Sequence, residues 1–388
     1  MEPNNLKSAT KFVVLLGLVS LFADMTYEGA RGITGPYLVL FGASATVVGF
    51  VSGFGELVGY GLRLISGYIS DKTQKYWAIT FTGYFINLLA VPLLALAGNW
   101  QVAAVLMIAE RTGKAIRNPA RDAMLSHATH EMGHGWGFGL HEAMDQIGAM
   151  TGPLIVALVL YLKGSYRIGF AILLIPALLA LVTLLIARFL YPRPHDLEIK
   201  LPNLKPKGFS RSYWLYVLGV GLIAAGFADF PLIAYHFEKL SIVSKSWIPI
   251  FYSIAMGADA IAALIFGRLF DRSGISIIIV SSFIAMFFAP LVFLGGFSLA
   301  LLGMILWGIG MGAQESIMRA FIAGIVLPEK RGTAFGIFNA FYGLLWFLGS
   351  VILGFMYDRS LSLTIFVSMA FQFLALPLFW FASRKTNE

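Results

Sequence analysis

Apolar runs of about twenty residues alternate with short polar connections along almost the whole chain. A helix of about 20 apolar residues is long enough to cross the hydrocarbon layer of a bilayer. The pattern therefore predicts twelve membrane-spanning helices, at 12–38, 45–68, 76–98, 101–123, 138–162, 167–190, 213–237, 246–269, 275–296, 299–324, 334–357 and 361–383.

The connection at 191–212 differs from the others because it is long and rich in proline and basic residues. It divides the predicted helices into two sets of six. The sequence thus predicts an all-α membrane protein with a six-helix bundle at 1–190, a cytoplasmic linker at 191–212 and a second six-helix bundle at 213–388.

The two halves repeat each other at a distance of about 200 residues. Gly67-Tyr-Ile-Ser-Asp71-Lys72 closes an apolar segment in the first half, and Gly267-Arg-Leu-Phe-Asp271-Arg272 closes one in the second. Phe22-Ala23-Asp24 is likewise echoed by Phe227-Ala228-Asp229. Internal repeats between hydrophobic segments are typical of secondary transporters.

Composition supports a membrane protein. Of the residues, 58% are hydrophobic and 12% are charged, and the mean hydropathy is +0.80. A soluble domain has roughly 45–50% apolar and 25% charged residues. The absence of cysteine excludes disulfides and thiolate metal sites. The net charge of +8 indicates no nucleic-acid partner, because the basic residues lie mainly in connections between apolar runs.

The distribution of basic residues predicts the orientation. Alternate connections on one side are rich in Lys and Arg, among them Lys72, Lys75 and Arg272. This side is expected to be cytoplasmic, with both termini inside and the chain in the cytoplasmic (inner) membrane. The short polar N-terminus has no cleavable signal pattern, so the first span is expected to remain in the mature protein.

Ionisable residues recur inside the predicted helices. Asp24, Glu28 and Arg31 are spaced i, i+4, i+7, which places them on one face of the first helix. A second such stripe runs along the fourth helix, at Glu110, Lys114, Arg117 and Arg121. A charge at mid-bilayer costs about 2.5–3.5 kcal/mol even on lenient scales, so each needs a partner, water or a proton.

We expect the deeper charges to line a central cavity that handles protons or substrate. A carboxylate that exchanges partners between two conformations can bind and release a proton, because burial favours the neutral acid and a nearby cation favours the charged form. The predicted cavity residues are Asp24, Glu28, Arg31, Glu56, Glu110, Arg111, Lys114, Asp145, Asp229, His236, Asp259, Glu315 and Trp346.

The sequence resembles the major facilitator superfamily over its full length. The resemblance rests on the twelve spans, the six-plus-six repeat, the basic central loop and the match of Gly67, Asp71, Lys72 and Lys75 to the loop signature of that family, with Gln74 in place of a glycine. Residues 110–122 are similar to uncharacterised bacterial members. The resemblance implies two pseudo-symmetric bundles around a cavity, and a cytoplasmic gate at Gly67, Asp71, Lys72, Arg117, Arg121, Gly267, Asp271, Arg272 and Arg319.

Several of these residues have a second interpretation. Glu315 and Arg319 fit a static ion pair as well as a functional one, and Asp259 and His236 fit contact with water. Gly148-x-x-x-Gly152-Pro153 is similar to the antiporter pattern of the family but also suits close helix packing. The aromatic residues of the second half, such as Trp307, suit packing as well as substrate contact.

Three functions compete. The first is proton-coupled transport of a small organic molecule by alternating access, with export by antiport favoured over symport. The second is an importer or facilitator of a polar anionic metabolite, which Arg31, Arg111 and Lys114 would favour. The third is a non-transporting membrane sensor or lipid-handling protein.

We expect no enzyme, cofactor or metal site, since no nucleotide-binding motif, nucleophile–base set or metal cluster is evident. His127, His130 and His134 have a spacing that could hold a metal, but solvated loop histidines are common. The expected partners are a small-molecule substrate, protons and the lipid bilayer, and the expected state is a monomer.

Overall fold

The computed structural model describes residues 3–132, 134–192, 209–325 and 331–384, and this part of the chain is helical without strands. Most of the predicted linker lies outside the described residues. The helices are α1 Pro3–Leu40, α2 Ala45–Thr73, α3 Tyr76–Leu93, α4 Trp100–Met132, α5 His134–Lys163, α6 Tyr166–Ile172, α7 Leu174–Leu190, α8 Arg211–Gly226, α9 Phe230–Lys239, α10 Trp247–Ser273, α11 Ser276–Ala285, α12 Phe288–Leu294, α13 Phe297–Ile325, α14 Arg331–Arg359 and α15 Leu361–Arg384.

The twelve predicted spans correspond to these helices, with three spans each divided into two helices: α6 and α7, α8 and α9, and α11 and α12. Within the described ranges, eleven segments are long and apolar enough to cross a membrane. Helix α4 is not among them, because its charged stripe lowers its hydropathy although its length of 33 residues is ample.

The break between α8 and α9 is the sharpest departure from the predicted pattern, which had a continuous helix at 213–237. Asp229 begins α9 as its N-cap, and its Oδ1 accepts a hydrogen bond of 2.9 Å from the backbone N–H of Phe230. The backbone carbonyl of Ala228 accepts from Trp307 Nε1 at 2.9 Å. A side-chain acceptor and a side-chain donor thus replace lost helical hydrogen bonds, as a broken transmembrane helix requires.

The carbonyl oxygen of Gly226, at the end of α8, is satisfied in the same way. Ser368 Oγ donates to it at 2.6 Å and Gln372 Nε2 at 3.2 Å. Both donors lie on α15, which packs along α8. The break is therefore held by polar side chains of neighbouring helices.

Helix α1, in contrast, is continuous through Gly29, Gly32, Gly35 and Pro36. Glycine and proline residues allow such a segment to unwind or bend, so we expect it to change conformation between transport states. In this structure the segment is helical.

The chain divides by its internal contacts into two compact units. The first unit comprises Met1–Ile33 and Gly61–Leu201, and the second comprises Thr34–Tyr60 and Pro202–Glu388. The end of α1 and the beginning of α2 thus group with the C-terminal half of the chain. The predicted division at 1–190, 191–212 and 213–388 followed the repeat alone and remains a prediction.

Within the first unit, glycines allow α3 and α4 to lie backbone to backbone. A Cβ added at Gly113 on α4 would overlap the backbone nitrogen of Asn87 on α3, and one added at Gly83 would lie 2.6 Å from the backbone nitrogen of Arg117. Small residues commonly mediate such close packing in membranes. This contact brings the polar residues of α3 against the charged stripe of α4.

We predict that Gly113→Ala destabilises the protein by about 1–3 kcal/mol, because the added methyl group would press on backbone atoms that have little freedom to move. Gly61→Ala in α2 is the matched control, since nothing lies within 4 Å of its added Cβ. The control should be neutral or stabilise by up to about 1 kcal/mol through helix propensity. Thermal unfolding of both variants in mild detergent measures the difference, and equal unfolding temperatures would contradict the packing assignment.

Candidate functional site

The charged stripes of α1 and α4 meet in the first unit. Lys114 Nζ lies 3.8 Å from Glu28 Oε1 and 3.9 Å from the centroid of the Tyr27 ring. A cation is attracted to a carboxylate and also to the face of an aromatic ring. Glu28 and Tyr27 therefore stabilise the buried ammonium group from two directions.

Asp24 lies one helical turn before Glu28 and is only 5% exposed. Its carboxylate accepts a hydrogen bond from the hydroxyl group of Tyr27. It also interacts electrostatically with Asp145, Lys114 and Arg117. Asp24 is thus a deeply buried acid that interacts with two cations. In the described part of the chain, its hydrogen-bond donor is the neutral hydroxyl group of Tyr27.

Arg117 is the most enclosed charged group in the described part of the chain, with 0% exposure. Its guanidinium carbon lies 4.2 Å from the centroid of the Tyr84 ring and 5.7 Å from that of Tyr27. Among the described residues, its Nε, Nη1 and Nη2 atoms and the Tyr84 hydroxyl have no hydrogen-bond partner. A group with five N–H donors therefore lies beside Asp24 without an acceptor.

Glu110 is held differently from Asp24. Asn87 Nδ2 donates to its Oε1 at 2.8 Å and to its backbone oxygen at 3.0 Å. Arg111 Nε lies 3.4 Å from Glu110 Oε2. The amide and the guanidinium anchor this carboxylate between α3 and α4, which suits a structural role better than a proton switch.

Helix α5 completes the cluster through its glycines. A Cβ at Gly148 would overlap the carbonyl oxygen of Leu21 and lie 2.9 Å from Asp24 Cβ, and one at Gly152 would overlap the carbonyl oxygen of Met25. These glycines therefore let α5 lie directly on α1. On the same helix, His141 Nδ1 lies 3.5 Å from Asp145 Oδ2.

The first-unit residues predicted to form the cytoplasmic gate are separated in this structure. Arg121 donates to Asp122 Oδ1 from Nε at 2.9 Å and from Nη2 at 2.7 Å, and its Nη1 donates to Ser20 Oγ at 3.1 Å. Asp71 is exposed at the end of α2, and no hydrogen bond between described residues joins it to Arg117 or Arg121. A gate that pairs these groups remains a prediction.

The other gate positions give less information. Lys72 is exposed, with Nζ 5.8 Å from the centroid of the Tyr68 ring, and Arg272 is exposed near the end of α10. Gly67 and Gly267 are on helices without crowding around an added Cβ. The side chains of Asp271, Arg319, His127, His130 and His134 lie outside the described residues.

In the second unit the predicted residues are dispersed. Asp229 caps α9, and His236 Nδ1 lies 2.9 Å from the Tyr357 hydroxyl. Asp259 and Glu56 are buried, and Glu56 belongs to this unit although the sequence placed it in the first bundle. Glu315 is exposed, and Arg31 and Arg111 in the first unit are partly exposed.

Aromatic packing dominates this unit. Trp307 is fully buried against Phe227, Phe230 and Tyr252, with ring centroids 5.5–6.2 Å apart. Trp346 packs on Tyr342 at 5.4 Å. A cavity of about 20 Å³, enough for a water molecule, lies among Tyr60, Met311, Gln314, Glu315, Phe338, Asn339 and Tyr342. Most of the predicted aromatic wall thus forms core.

Sequence analysis missed three residues that organise the first unit: Tyr27, Tyr84 and Asn87. A signal was present for two of them, because Thr80, Tyr84 and Asn87 are spaced i, i+4, i+7 and form a polar stripe on α3. Tyr27 lies between Asp24 and Glu28 in the sequence, where an aromatic residue is expected to be part of the apolar packing. Its role depends on the position of α4, which the sequence does not show.

We predict that Lys114→Met destabilises the protein by about 3–5 kcal/mol, because it removes a cation that lies beside the buried Glu28 carboxylate. Lys245→Met is the matched control. Lys245 Nζ lies 3.6 Å from Glu238 Oε1, but its side chain is 50% exposed, and exposed pairs contribute less than about 1 kcal/mol. Unfolding temperatures in detergent measure both, and similar losses would show that the Lys114 pair is not energetically buried.

Comparison with known proteins identifies the family. The sequence model of the Major Facilitator Superfamily matches residues 16–350 and 212–388. An uncharacterized protein of Mycobacterium tuberculosis (strain ATCC 25618 / H37Rv) is 38% identical over 378 residues, which cover 96% of this chain and 92% of the relative. An uncharacterized MFS-type transporter of Methanocaldococcus jannaschii is 28% identical over 373 residues, with 93% and 92% covered.

A solved structure shares the fold. The bacterial homolog of the human lysosomal transporter Spinster, in an inward-facing and unoccupied conformation, superposes with a TM-score of 0.77 over 99% of this chain and 98% of that chain, at 14% identity. Family and fold are those of transporters rather than enzymes. The chain therefore is a multi-pass membrane protein that belongs to the Major Facilitator Superfamily.

Proposed function

We propose that this protein is a proton-coupled secondary transporter of a small organic molecule, working by alternating access, with export by antiport favoured over symport. It acts as a monomer in the cytoplasmic (inner) membrane with both termini in the cytoplasm. The observation that carries the proposal is the proximity of Asp24 and Arg117, two buried groups of opposite charge that interact electrostatically without a hydrogen bond between them.

The N–H donors of Arg117 have no acceptor among the described residues. An arginine keeps its charge at any physiological pH. A buried charge without an acceptor costs free energy. The rings of Tyr84 and Tyr27 stabilise the guanidinium group, but less than a carboxylate would. A conformation in which an anion reaches Arg117 would therefore be favoured whenever an anion is available.

Asp24 is the candidate for that anion, because its carboxylate interacts electrostatically with Arg117. In this structure its carboxylate is held by the Tyr27 hydroxyl. When Asp24 carries a proton, a neutral hydroxyl is a sufficient partner. When it loses the proton, charge-assisted hydrogen bonds to a guanidinium are about twice as strong as neutral ones. Protonation would thus decide whether Asp24 stays with Tyr27 or moves to Arg117.

Such an exchange would link proton binding to conformation. Asp24 and Tyr27 lie on α1, whereas Arg117 lies on α4. A carboxylate that changes partners between two helices biases their relative position, which is what a coupling site in a rocking transporter must do. A proton gradient across the membrane could then drive substrate movement.

The alternative is an importer or facilitator of a polar anionic metabolite. The same donors favour it, because Arg117 and the Tyr84 hydroxyl would suit a carboxylate or phosphate group of a substrate. Lys114, whose side chain is 19% exposed, would be the outer contact. In this case Asp24 would not carry the coupling proton.

We predict that Asp24→Asn abolishes proton-driven flux, because an amide does not ionise, while substrate exchange without a gradient is partly retained. Glu142→Gln on α5 is the control, since this carboxylate is exposed and its loss should leave both fluxes intact. The measurement is flux in proteoliposomes under an imposed pH gradient, with substrates first found by thermal-shift screening at two pH values.

The same assay separates the three functions. Counterflow against an imposed proton gradient supports the exporter, whereas gradient-independent or inward flux of an anion supports the alternative. A protein that moves no compound would be a sensor or lipid-handling protein. Normal pumping by Asp24→Asn would remove Asp24 from the proposed mechanism.

We predict that Arg117→Gln slows proton-driven flux by more than tenfold, because ionised Asp24 would lose the guanidinium group to which it is proposed to move. The double variant Asp24→Asn/Arg117→Gln is electrically balanced and should regain exchange relative to Arg117→Gln alone. Arg117→Lys should restore part of the coupled flux. Flux and pH profile in proteoliposomes measure all three, and identical exchange rates in the single and double variants would contradict the pairing.

A further inference from the structure

The beginning of α2 is joined to the end of α14 by unusually close contacts. The chain places residues 34–60 among the first six spans, but they pack in the second unit. A Cβ at Gly49 would overlap the carbonyl oxygen of Ser350, and one at Gly354 would overlap that of Ala45. The two helices are therefore in backbone contact over their terminal turns.

Aromatic rings continue this contact along α2. Phe50 and Phe54 stack at 5.7 Å, and Phe347 on α14 contacts both edge to face, at 5.7 and 6.0 Å. One turn further, the Tyr60 and Tyr342 rings meet at 5.2 Å. We call this contact between residues 45–60 of α2 and residues 342–358 of α14 the α2–α14 seam.

At the end of the seam, Asp358 caps the N-terminus of α2. Its Oδ1 accepts from the backbone N–H of Ala45 at 3.0 Å. Its Oδ2 accepts from the backbone N–H of Thr46 at 2.8 Å and from the Thr46 hydroxyl at 2.6 Å. A carboxylate is the preferred partner of free N–H groups at a helix N-terminus, where the helix dipole adds to the attraction.

This cap is supplied from a distant part of the chain. Ser44, the local capping residue, accepts from the N–H of Val47 at 3.3 Å, and its hydroxyl group also hydrogen-bonds the Asp358 carboxylate. The first two N–H groups of α2 bind Asp358, which is more than 300 residues away. Capping residues normally lie beside the helix they cap. The N-terminus of α2 is therefore complete only while the seam is closed.

The guanidinium group of the neighbouring Arg359 packs on an aromatic ring and not on the Asp358 carboxylate. The guanidinium carbon of Arg359 lies 4.2 Å from the centroid of the Phe355 ring. Asp358 thus directs its charge to α2. Arg359 carries a charge at the adjacent position without belonging to the cap, which makes it a useful control.

We propose that Asp358 and the N-terminus of α2 form a releasable latch that holds the non-cytoplasmic gate closed. This inference uses the alternating access of the proposed function, but not its proton site or substrate. By the predicted orientation, α1 ends and α2 begins on the non-cytoplasmic side, as does the end of α14. Opening toward that side would separate residues 45–60 from α14, and the hydrogen bonds that Asp358 accepts from Ser44, Ala45 and Thr46 would break together.

The experiment exploits the absence of native cysteine. Ser350→Cys places a single thiol in the seam, at a position that is 3% exposed. Its rate of labelling by a membrane-impermeant maleimide, added to the outside of intact cells, reports how often the seam opens. The Asp358→Asn change keeps the shape of the side chain but removes its charge, and Arg359→Gln is the matched control.

We expect Asp358→Asn to raise the labelling rate of the introduced thiol about two- to fivefold, the range that loss of a negative charge at a helix N-terminus implies. Thr46→Val removes one of the hydrogen bonds to Asp358 and should give a smaller increase. Arg359→Gln should leave the rate unchanged. An unchanged rate in Asp358→Asn, or a rise of equal size in Arg359→Gln, would overturn the latch.

Two further readouts keep the result interpretable. Size-exclusion elution and unfolding temperature in detergent show whether each variant is folded, and if Asp358→Asn is not, the smaller change in Thr46→Val decides. Labelling from the cytoplasmic side alone would also refute a non-cytoplasmic gate. Labelling requires neither substrate nor a proton gradient, so failure of the latch leaves the proposed transport function standing, and failure of transport leaves the latch measurable.

Discussion

Every polar group buried in a membrane protein must find a partner inside the protein, because the hydrocarbon offers none. This constraint explains both the irregular helices and the charged cluster. The interrupted span of α8 and α9 persists because Trp307, Ser368 and Gln372 supply donors for carbonyl groups that a continuous helix would satisfy itself. In the first unit, Lys114 is retained because Glu28 and the Tyr27 ring compensate its charge. Arg117 is a charged exception, because none of its three side-chain nitrogen atoms has an acceptor in the described part of the chain. Because the constraint is so strong, we expect a second conformation in which Arg117 gains an acceptor.

The two halves show how one ancestral pattern takes different roles. Phe22-Ala23-Asp24 and Phe227-Ala228-Asp229 have the same residues at matching places in the repeat. In the continuous helix α1 the acid receives the Tyr27 hydroxyl, whereas at the break before α9 it caps a new helix. The first acid therefore has a side-chain partner that it could exchange, whereas the second accepts a hydrogen bond from the backbone. The concentration of charge in the first unit and of aromatic core in the second follows the same division.

The fold was predictable from the sequence because membrane helices are specified by length and hydropathy, which are local properties. Even α4 could be found, since its charges follow one helical face. The pairings were not predictable, because they depend on how each helix is rotated about its axis. Asp24 and Glu110 look alike in sequence, yet Glu110 is anchored by Asn87 and Arg111 while Asp24 is not. Arg117 was grouped with the gate, and the structure places it between two tyrosine rings. The cap of α2 by Asp358 joins positions more than 300 residues apart, beyond any local pattern.

Helix α1 offers a physical connection between the proposed proton site and the proposed latch. It is continuous from Pro3 to Leu40, so Asp24 in the first unit and Gly35 in the second lie on one helix. At Gly35 the helix lies against the backbone of Pro231 on α9, so closely that a Cβ would overlap its carbonyl oxygen. A helix in such contact cannot shift without disturbing its neighbour, because packed interfaces are bistable rather than continuously deformable. If Asp24 moves from Tyr27 to Arg117, the displacement of α1 is therefore felt at Gly35. The α2–α14 seam lies in the same unit as Gly35. Its hydrogen bonds at Asp358 would have to break before such a movement could open the seam.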